Sequence, residues 1–152
     1  MSSFNSKTTA QQVLEGISLT GKKVIITGGN SGIGFAAATA LAGQGAEVVL
    51  ACRDQAKAET ACDSISKIHP NASVSSLVID LASFASIRGF ADSLNWSSID
   101  VLVCNAGVFN MVYAETEDGF ESTVGTCHYG HAYLVELLMD KIIASNEPRV
   151  VM

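Results

Sequence analysis

The stretch that decides the fold reads TGGNSGIG and runs from Thr27 to Gly34. It follows the apolar run KKVIIT (22–27) and opens an alanine-rich segment (33–43) whose composition is typical of a helix. A strand, a glycine-rich turn and a helix in this order are the context that a dinucleotide-binding motif requires. The start of such a helix offers backbone N–H groups and the positive end of its dipole to phosphate groups.

Each glycine of this stretch has a separate role in that interpretation. Gly28 permits the tight turn, Gly32 lets the backbone approach a pyrophosphate, and Gly34 lets the helix pack close to the strand. The alternative is a glycine-rich turn that binds no ligand, because three glycines at a set spacing are a weak signal by themselves. The flanking strand and helix favour the binding interpretation.

The rest of the chain alternates between apolar runs and helical segments. We predict strands at 22–27, 46–51, 74–79, 99–103 and 149–152, and helices at 33–43, 54–68, 83–94 and 117–145. This alternation indicates right-handed βαβ units and a parallel sheet. We therefore predict an α/β fold: a Rossmann-type, doubly wound parallel sheet of about five strands in the order 3-2-1-4-5.

Two domain boundaries follow from the same pattern. Residues 1–20 are polar and rich in Ser and Thr, and we predict a loose lead-in with one helical turn near 11–14. Residues 21–152 form the predicted dinucleotide-binding portion. Its fifth strand stops after about four residues, whereas strands usually have five or six. We therefore expect a truncated domain.

Composition and charge exclude several classes of protein. The chain has 152 residues, of which 48% are hydrophobic and 16% charged, and this balance excludes an intrinsically disordered protein. The net charge of -6 argues against a nucleic-acid partner. Four cysteines without metal-ligand spacing, and no signal peptide or membrane span, predict a cytoplasmic protein in a reducing compartment.

The motifs together resemble those of the short-chain dehydrogenase/reductase superfamily, in its retinol-dehydrogenase-like branch. The glycine stretch (27–34) matches the TGxxxGxG motif of that family, and ACR (51–53), DL (80–81) and CNAG (104–107) follow in the same order. The similarity extends over about residues 19–152. It implies an oxidoreductase that uses a nicotinamide dinucleotide and acts on an alcohol/carbonyl pair, with retinoids, steroids or other lipids as candidate substrates.

The resemblance also implies the residues that contact the cofactor. Asp80 and Leu81 would border the adenine, and residues 105–107 would stabilise the central strand and line the nicotinamide-ribose side. The structural alternatives are that Asp80 only caps a strand end and that Asn105 only ties a turn. The complete implied set is Gly28, Asn30, Ser31, Gly32, Ile33, Gly34, Arg53, Asp80, Leu81, Asn105, Ala106 and Gly107.

The choice between NADP and NAD depends on the end of the second strand. An NAD site has a carboxylate there for the ribose hydroxyls, and an NADP site has a cation for the 2′-phosphate. The family's usual carboxylate position is Cys52 in this chain, and Arg53 follows it. The competing interpretation uses Asp54, twenty residues after Gly34, but Asp54 also suits the N-cap of the next helix. We predict NADP, with NAD less favoured.

We find no complete catalytic set in the sequence. Family enzymes use an Asn, a Ser and a Tyr-x-x-x-Lys pair, and the Ser and the Tyr-x-x-x-Lys follow the fifth strand. No tyrosine of this chain has a lysine four residues later; the three are Tyr113, Tyr129 and Tyr133. The cofactor-binding half alone is therefore not expected to turn over. The alternative is a non-catalytic nucleotide-binding or protein-interaction module.

The family's Asn position also differs here. The segment that contains it reads CHYGH, so Cys127 replaces the asparagine, and Gly125 weakens the helix nearby. His128 and His131 lie three residues apart, but a metal site needs three or four ligands and no third is identifiable. We predict no metal site.

The predicted helix over 117–145 carries an apolar stripe that suits burial. We expect part of this stripe, together with the edge of the fifth strand, to be exposed and to favour self-association. The alternative is that the chain's own core buries the whole stripe. The stripe consists of Tyr133, Leu134, Leu137, Leu138, Ile142 and Ile143.

Overall fold

Five parallel strands form one sheet in the order β3-β2-β1-β4-β5, as predicted. The structure is a computed structural model that describes residues 4–109 and 112–152. The strands are β1 (Lys23–Thr27), β2 (Glu47–Cys52), β3 (Ser73–Val78), β4 (Val101–Val103) and β5 (Arg149–Val151). The helices are α1 (Ala10–Val13), α2 (Gly32–Gly43), α3 (Gln55–Ile68), α4 (Phe84–Ser93), α5 (Ser122–Val124) and α6 (Gly130–Ile143).

Helices cover both faces of the sheet, and side chains that alternate along each strand pack against one face or the other. In β1, Val24 and Ile26 pack with the alanines of α2 and α3, while Ile25 packs with Phe90 of α4 and Leu134 of α6. Successive side chains of a strand point to opposite faces, so a continuous apolar run is buried on both sides. This two-faced core confirms the doubly wound fold.

The caps of two helices agree with the sequence. Asp54 accepts a hydrogen bond from the backbone N–H of Lys57 at 3.0 Å and caps α3, and Ser83 caps α4 through the N–H of Ser86 at 3.4 Å. The helical turn of the lead-in is also present as α1, whose N-cap is Thr9. Leu19 then joins the domain by donating its N–H to the Gln44 carbonyl at 2.9 Å.

The predicted helix over 117–145 is wrong at its start. Glu115 and Glu121 form an antiparallel bridge, and Gly119 between them has a φ of +81° that breaks a helix. Helical structure begins at Ser122 and passes through a π-helical turn, Gly125–Tyr129, before α6. Such wider turns lie frequently at functional sites.

Much of the apolar stripe on α6 belongs to the chain's own core. Leu134 and Leu138 are fully buried and Ile142 nearly so, whereas Ile143 remains exposed. This burial reduces the area available for self-association, which stays a prediction. Within residues 4–109 and 112–152, no helix is both long and apolar enough to cross a membrane.

Candidate functional site

The turn after β1 has the backbone conformation that glycine alone adopts readily. Gly28 has a φ of +66° and Gly32 a φ of +55°, both in the left-handed region. Gly28 also donates its N–H to the Ala51 carbonyl at 2.8 Å, and a Cβ added to it would lie 3.1 Å from Ala106. The turn is therefore held against both neighbouring strands.

Asn105 joins the two central strands at their carboxyl ends. Its side-chain amide donates to the Thr27 carbonyl at 2.9 Å, and its backbone N–H donates to the Thr27 hydroxyl, also at 2.9 Å. Gly34, in the first turn of α2, packs against the same amide. The predicted structural role of Asn105 has direct support in these contacts, and the glycine turn and the 105–107 segment form one unit.

The start of α2 differs from the starts of α3 and α4. Within the described part of the chain, its N-cap Ser31 makes no side-chain hydrogen bond to the first turn. The next residue but one, Ile33, is 83% exposed. An exposed helix start without a side-chain cap leaves backbone N–H groups available to an anion.

A cleft of about 170 Å³ lies over the carboxyl ends of the strands. Seven of the twelve predicted cofactor residues line it: Gly28, Asn30, Arg53, Asp80, Leu81, Ala106 and Gly107. Ser31 instead lines an adjoining open groove of about 730 Å³ between α2 and α3, and Asn30 borders both. The cleft and the groove thus meet at the glycine turn.

The other four predicted residues lie outside the lining of both spaces. They are part of the turn or its support: Gly32, Ile33, Gly34 and Asn105. Five further residues line the cleft: Ala51 and Cys52 belong to the ACR segment, and the other three, which sequence reasoning missed, are Ile79, Val108 and Thr126. Val108 directly follows the recognised CNAG segment, so extending that motif by one residue would have found it; Thr126 had no signal in the sequence.

The end of β2 offers a cation, Arg53, and a carboxylate, Asp54, that pairs with Lys57. Cys52 is buried, and this burial raises the pKa of its thiol, so it stays neutral. Arg53 is exposed on the cleft. Both carboxylate oxygens of Asp54 are engaged by Lys57: Oδ1 accepts from its N–H at 3.0 Å, and Oδ2 pairs with its Nζ at 3.1 Å. These hydrogen bonds lower the pKa of Asp54.

Asp80 has a local partner as well as a place in the cleft. Its Oδ1 accepts from the N–H of Ala82 at 2.9 Å, and its own N–H donates to the Ser86 hydroxyl at 2.8 Å. The structural alternative for Asp80 is therefore partly realised, since one carboxylate oxygen stabilises the turn after β3.

A buried hydrogen-bonded histidine lies beneath the cleft, and sequence reasoning gave it no role. His131 is 2% exposed; its Nε2 lies 2.9 Å from the Thr27 hydroxyl and its Nδ1 lies 2.9 Å from the Cys127 carbonyl. Burial lowers the pKa of His131. Its position four residues after Cys127, one helical turn away, was the signal that could have indicated its contact with the Cys127 carbonyl.

The thiol of Cys127 is hydrogen-bonded to Val108, which lines the cleft. It accepts from the Val108 N–H at 3.3 Å and donates to the Val108 carbonyl at 3.4 Å. A thiol can provide these two weak bonds but not the amide group of the asparagine that it replaces. Across residues 4–109 and 112–152, no group of three or more His, Cys, Asp or Glu side chains is arranged to hold a metal ion.

Comparison with known proteins supports the motifs and the fold together. The model of the family described as short chain dehydrogenase matches residues 22–152. The WW domain-containing oxidoreductase of Homo sapiens is 41% identical over 150 residues, which are 97% of this chain and 36% of that protein. Retinol dehydrogenase 13 of Homo sapiens is 43% identical over 135 residues, 88% of this chain and 41% of that protein.

Solved structures share the same arrangement. The crystal structure of a protein from Mycobacterium paratuberculosis has a TM-score of 0.74 to this chain and 42% sequence identity with it. The match covers 82% of this chain and 44% of that one. The Pseudomonas aeruginosa RhlG/NADP active-site complex is 25% identical, with a TM-score of 0.71 over 84% of this chain and 49% of that one. The chain spans less than half the length of each of these relatives. With a family match over residues 22–152 and the glycine turn in place, the chain belongs to the short-chain dehydrogenase family.

Proposed function

We propose that the chain binds NADP and is the cofactor-binding portion of an oxidoreductase that acts on an alcohol/carbonyl pair. The observation that carries the proposal is the glycine turn, which has left-handed φ values at Gly28 and Gly32 and opens onto the cleft. The start of α2 would hold the pyrophosphate, and residues 105–107 would border the nicotinamide ribose. When bound, the cofactor would donate a hydride in its reduced form, NADPH, or accept one in its oxidised form, NADP⁺.

The end of β2 supports NADP over NAD. A 2′-phosphate needs a cation, and the guanidinium of Arg53 can donate two parallel hydrogen bonds to it. The ribose hydroxyls of NAD need a carboxylate, but Cys52 is a neutral thiol, and Asp54 already accepts from the Lys57 N–H as the cap of α3. The name of one structural relative, the Pseudomonas aeruginosa RhlG/NADP active-site complex, includes the same cofactor.

Titration of the full chain with NADPH and NADH by calorimetry tests this proposal. We expect tighter binding of NADPH, and we expect Arg53→Ala to weaken it about tenfold or more while NADH affinity stays unchanged. Arg88→Ala is the matched control, because Arg88 lies over the Tyr133 ring and does not line the cleft. Equal affinities of the unchanged chain for both dinucleotides would contradict the NADP assignment.

The substrate is proposed from relatives rather than from the cleft. Retinol dehydrogenase 13 of Homo sapiens is 43% identical to this chain, and we propose a retinoid, steroid or other lipid alcohol on that basis. We also propose that these 152 residues do not turn over by themselves, because none of their tyrosines has a lysine four residues later. Incubation with NADPH and all-trans-retinal, followed by chromatography for retinol, tests the second statement, and retinol formation would contradict it.

One observation favours a second candidate function, a nucleotide-binding module without catalysis. Cys127 holds Val108 at both its N–H and its carbonyl, and so closes the position where family enzymes have an asparagine. Cys127→Asn in a longer chain that includes a Ser and a Tyr-x-x-x-Lys pair separates the two candidates. Turnover that appears only after Cys127→Asn would favour the non-catalytic role, and turnover already present with the natural Cys127 would favour the enzyme.

A further inference from the structure

The hydroxyl of Thr27 is the meeting point of four groups beneath the cleft. Its oxygen accepts from the backbone N–H of Asn105 at 2.9 Å and from that of Ala106 at 3.0 Å. The His131 Nε2 lies 2.9 Å away and the Val103 carbonyl 3.3 Å away. A hydroxyl has two lone pairs and one proton, so the two backbone donors fill its acceptor capacity. Its single proton can then be donated either to His131 Nε2 or to the Val103 carbonyl.

The position of the imidazole proton decides where the hydroxyl proton goes. The Cys127 carbonyl can only accept, so the His131 Nδ1 at 2.9 Å carries the ring proton. Nε2 of the neutral ring is then an acceptor, and it is nearer to the hydroxyl than the Val103 carbonyl is. The Thr27 hydroxyl therefore donates its proton to the Nε2 of His131. In this orientation the two lone pairs of the Thr27 oxygen point toward the backbone amides of Asn105 and Ala106.

We propose that His131 is a positioning residue for the dinucleotide, acting through the Thr27 hydroxyl on the 105–107 segment. The inference rests on the proposed function for the ligand, because this segment is assigned to the nicotinamide-ribose side. Without His131 the hydroxyl turns toward Val103, its lone pairs leave the two amides, and the segment loosens. The adenosine side, at Arg53 directly after β2, keeps its contacts.

Variants of His131 separate its donor from its acceptor role. His131→Leu removes both hydrogen bonds at similar volume. His131→Gln keeps an acceptor oxygen where Nε2 accepts, so it should restore much of the effect. His128→Leu is the control, because His128 is exposed, lies edge-on to the Tyr129 ring, and is outside the network.

Two measurements test the proposal on the full chain. Amide hydrogen exchange followed by NMR reports the Asn105 and Ala106 amides without any ligand. Calorimetry compares NADPH with 2′,5′-ADP, which has the adenosine and its 2′-phosphate but no nicotinamide. In His131→Leu we expect exchange of both amides to be about five- to tenfold faster and NADPH to bind more weakly by a similar factor. We expect 2′,5′-ADP affinity to be unchanged, whereas a merely structural loss would weaken both ligands equally.

Each outcome decides a separate point. Unchanged exchange at Asn105 and Ala106 in His131→Leu, or equal weakening of the two ligands, would overturn the positioning role. If the chain without substitutions binds neither NADPH nor 2′,5′-ADP, the proposed function is overturned. The exchange rates of the Asn105 and Ala106 amides would still decide whether His131 positions the segment. If His131→Leu does not fold, His131→Asn replaces it, because its shorter amide reaches toward Cys127 but not toward Thr27. The same exchange pattern is expected there.

Discussion

Gly34 and Asn105 approach so closely that a Cβ on residue 34 would lie 2.5 Å from the side-chain nitrogen of Asn105. The same Cβ would lie 2.6 Å from the Gly28 carbonyl oxygen, which is backbone and cannot move aside cheaply. Asn105 in turn holds the Thr27 carbonyl at 2.9 Å. The third glycine of the motif therefore fixes the distance between α2 and the two central strands.

Gly34→Ala should destabilise the fold and weaken dinucleotide binding. The added methyl group forces Asn105 or the Gly28 backbone to shift, and overpacking of this kind costs about 1–3 kcal/mol. Urea unfolding followed by circular dichroism measures the loss of unfolding free energy. The matched control is Gly89→Ala in α4, where the added Cβ would meet nothing within 4 Å among the described residues, apart from its chain neighbours and the helix's own backbone. Gly89→Ala should stabilise the fold by about 0.5–1 kcal/mol, and equal effects of the two variants would contradict the close packing.

Substitutions of Asp54 can distinguish its role as a helix cap from a role as a cofactor ligand. Because Asp54 caps α3 through the Lys57 N–H, Asp54→Ala should lower the urea midpoint, whereas Asp54→Ser keeps a capping oxygen and should lower it less. Neither variant should change the affinity for NADH in calorimetry. A clear loss of NADH affinity in both would show that Asp54 is the ribose carboxylate after all.

The fold was predictable because its signals are local and repeated. The apolar run of β1, the glycine turn and the Asp54 cap each stand in a short stretch of sequence, and the structure confirms all three. The error at the start of the 117–145 helix arose because a local turn with Gly119 at positive φ replaces the first helical turn. Tertiary contacts hold that turn: the Glu117 N–H donates to the Ala82 carbonyl at 3.2 Å, and Asp118 accepts from the Phe84 N–H at 2.8 Å. Propensity is a weak prior that such contacts override.

The site was predictable only where a motif names its residues. Motifs predicted Gly28, Arg53 and Gly107, and all three line one cleft; their contact with a cofactor stays a prediction. The contact between Thr27 and His131 joins residues 104 positions apart, and no spacing rule indicates it. Contacts between distant segments depend on how the strands are ordered, and they appear only when the sheet is assembled.

His131 should make the folded state sensitive to mild acid. Burial lowers its pKa below the usual value of about 6.5, so the unfolded state binds more protons as the pH falls through that value. Stability should therefore be fully present above about pH 6.5 and decline as the pH falls toward the lower pKa of the folded state. Urea unfolding at a series of pH values measures this slope.

The variant His131→Gln should flatten that slope, because glutamine does not titrate. His128→Gln should leave the slope unchanged, since His128 is exposed and outside the buried network. A slope that is the same in His131→Gln as in the unchanged chain would assign the acid sensitivity to other groups.

Self-association is expected through the β5 edge and the exposed end of α6. Among the described strands β5 pairs with β4 alone, and Val151 on it is 51% exposed. Ile143 at the end of α6 is 65% exposed, although the rest of that apolar stripe is largely buried. An open strand edge with apolar side chains favours pairing with another chain, and a lysine placed there opposes it. Val151→Lys and Ile143→Lys should therefore shift the sedimentation coefficient toward the monomer in analytical ultracentrifugation over a concentration series.

Val78→Lys is the matched control on β3, the opposite edge, where Val78 is 48% exposed. The same shift in Val78→Lys would place the contact elsewhere or spread it over both edges. A concentration-independent monomer of the unchanged chain would show that the buried part of the stripe leaves too little surface for association.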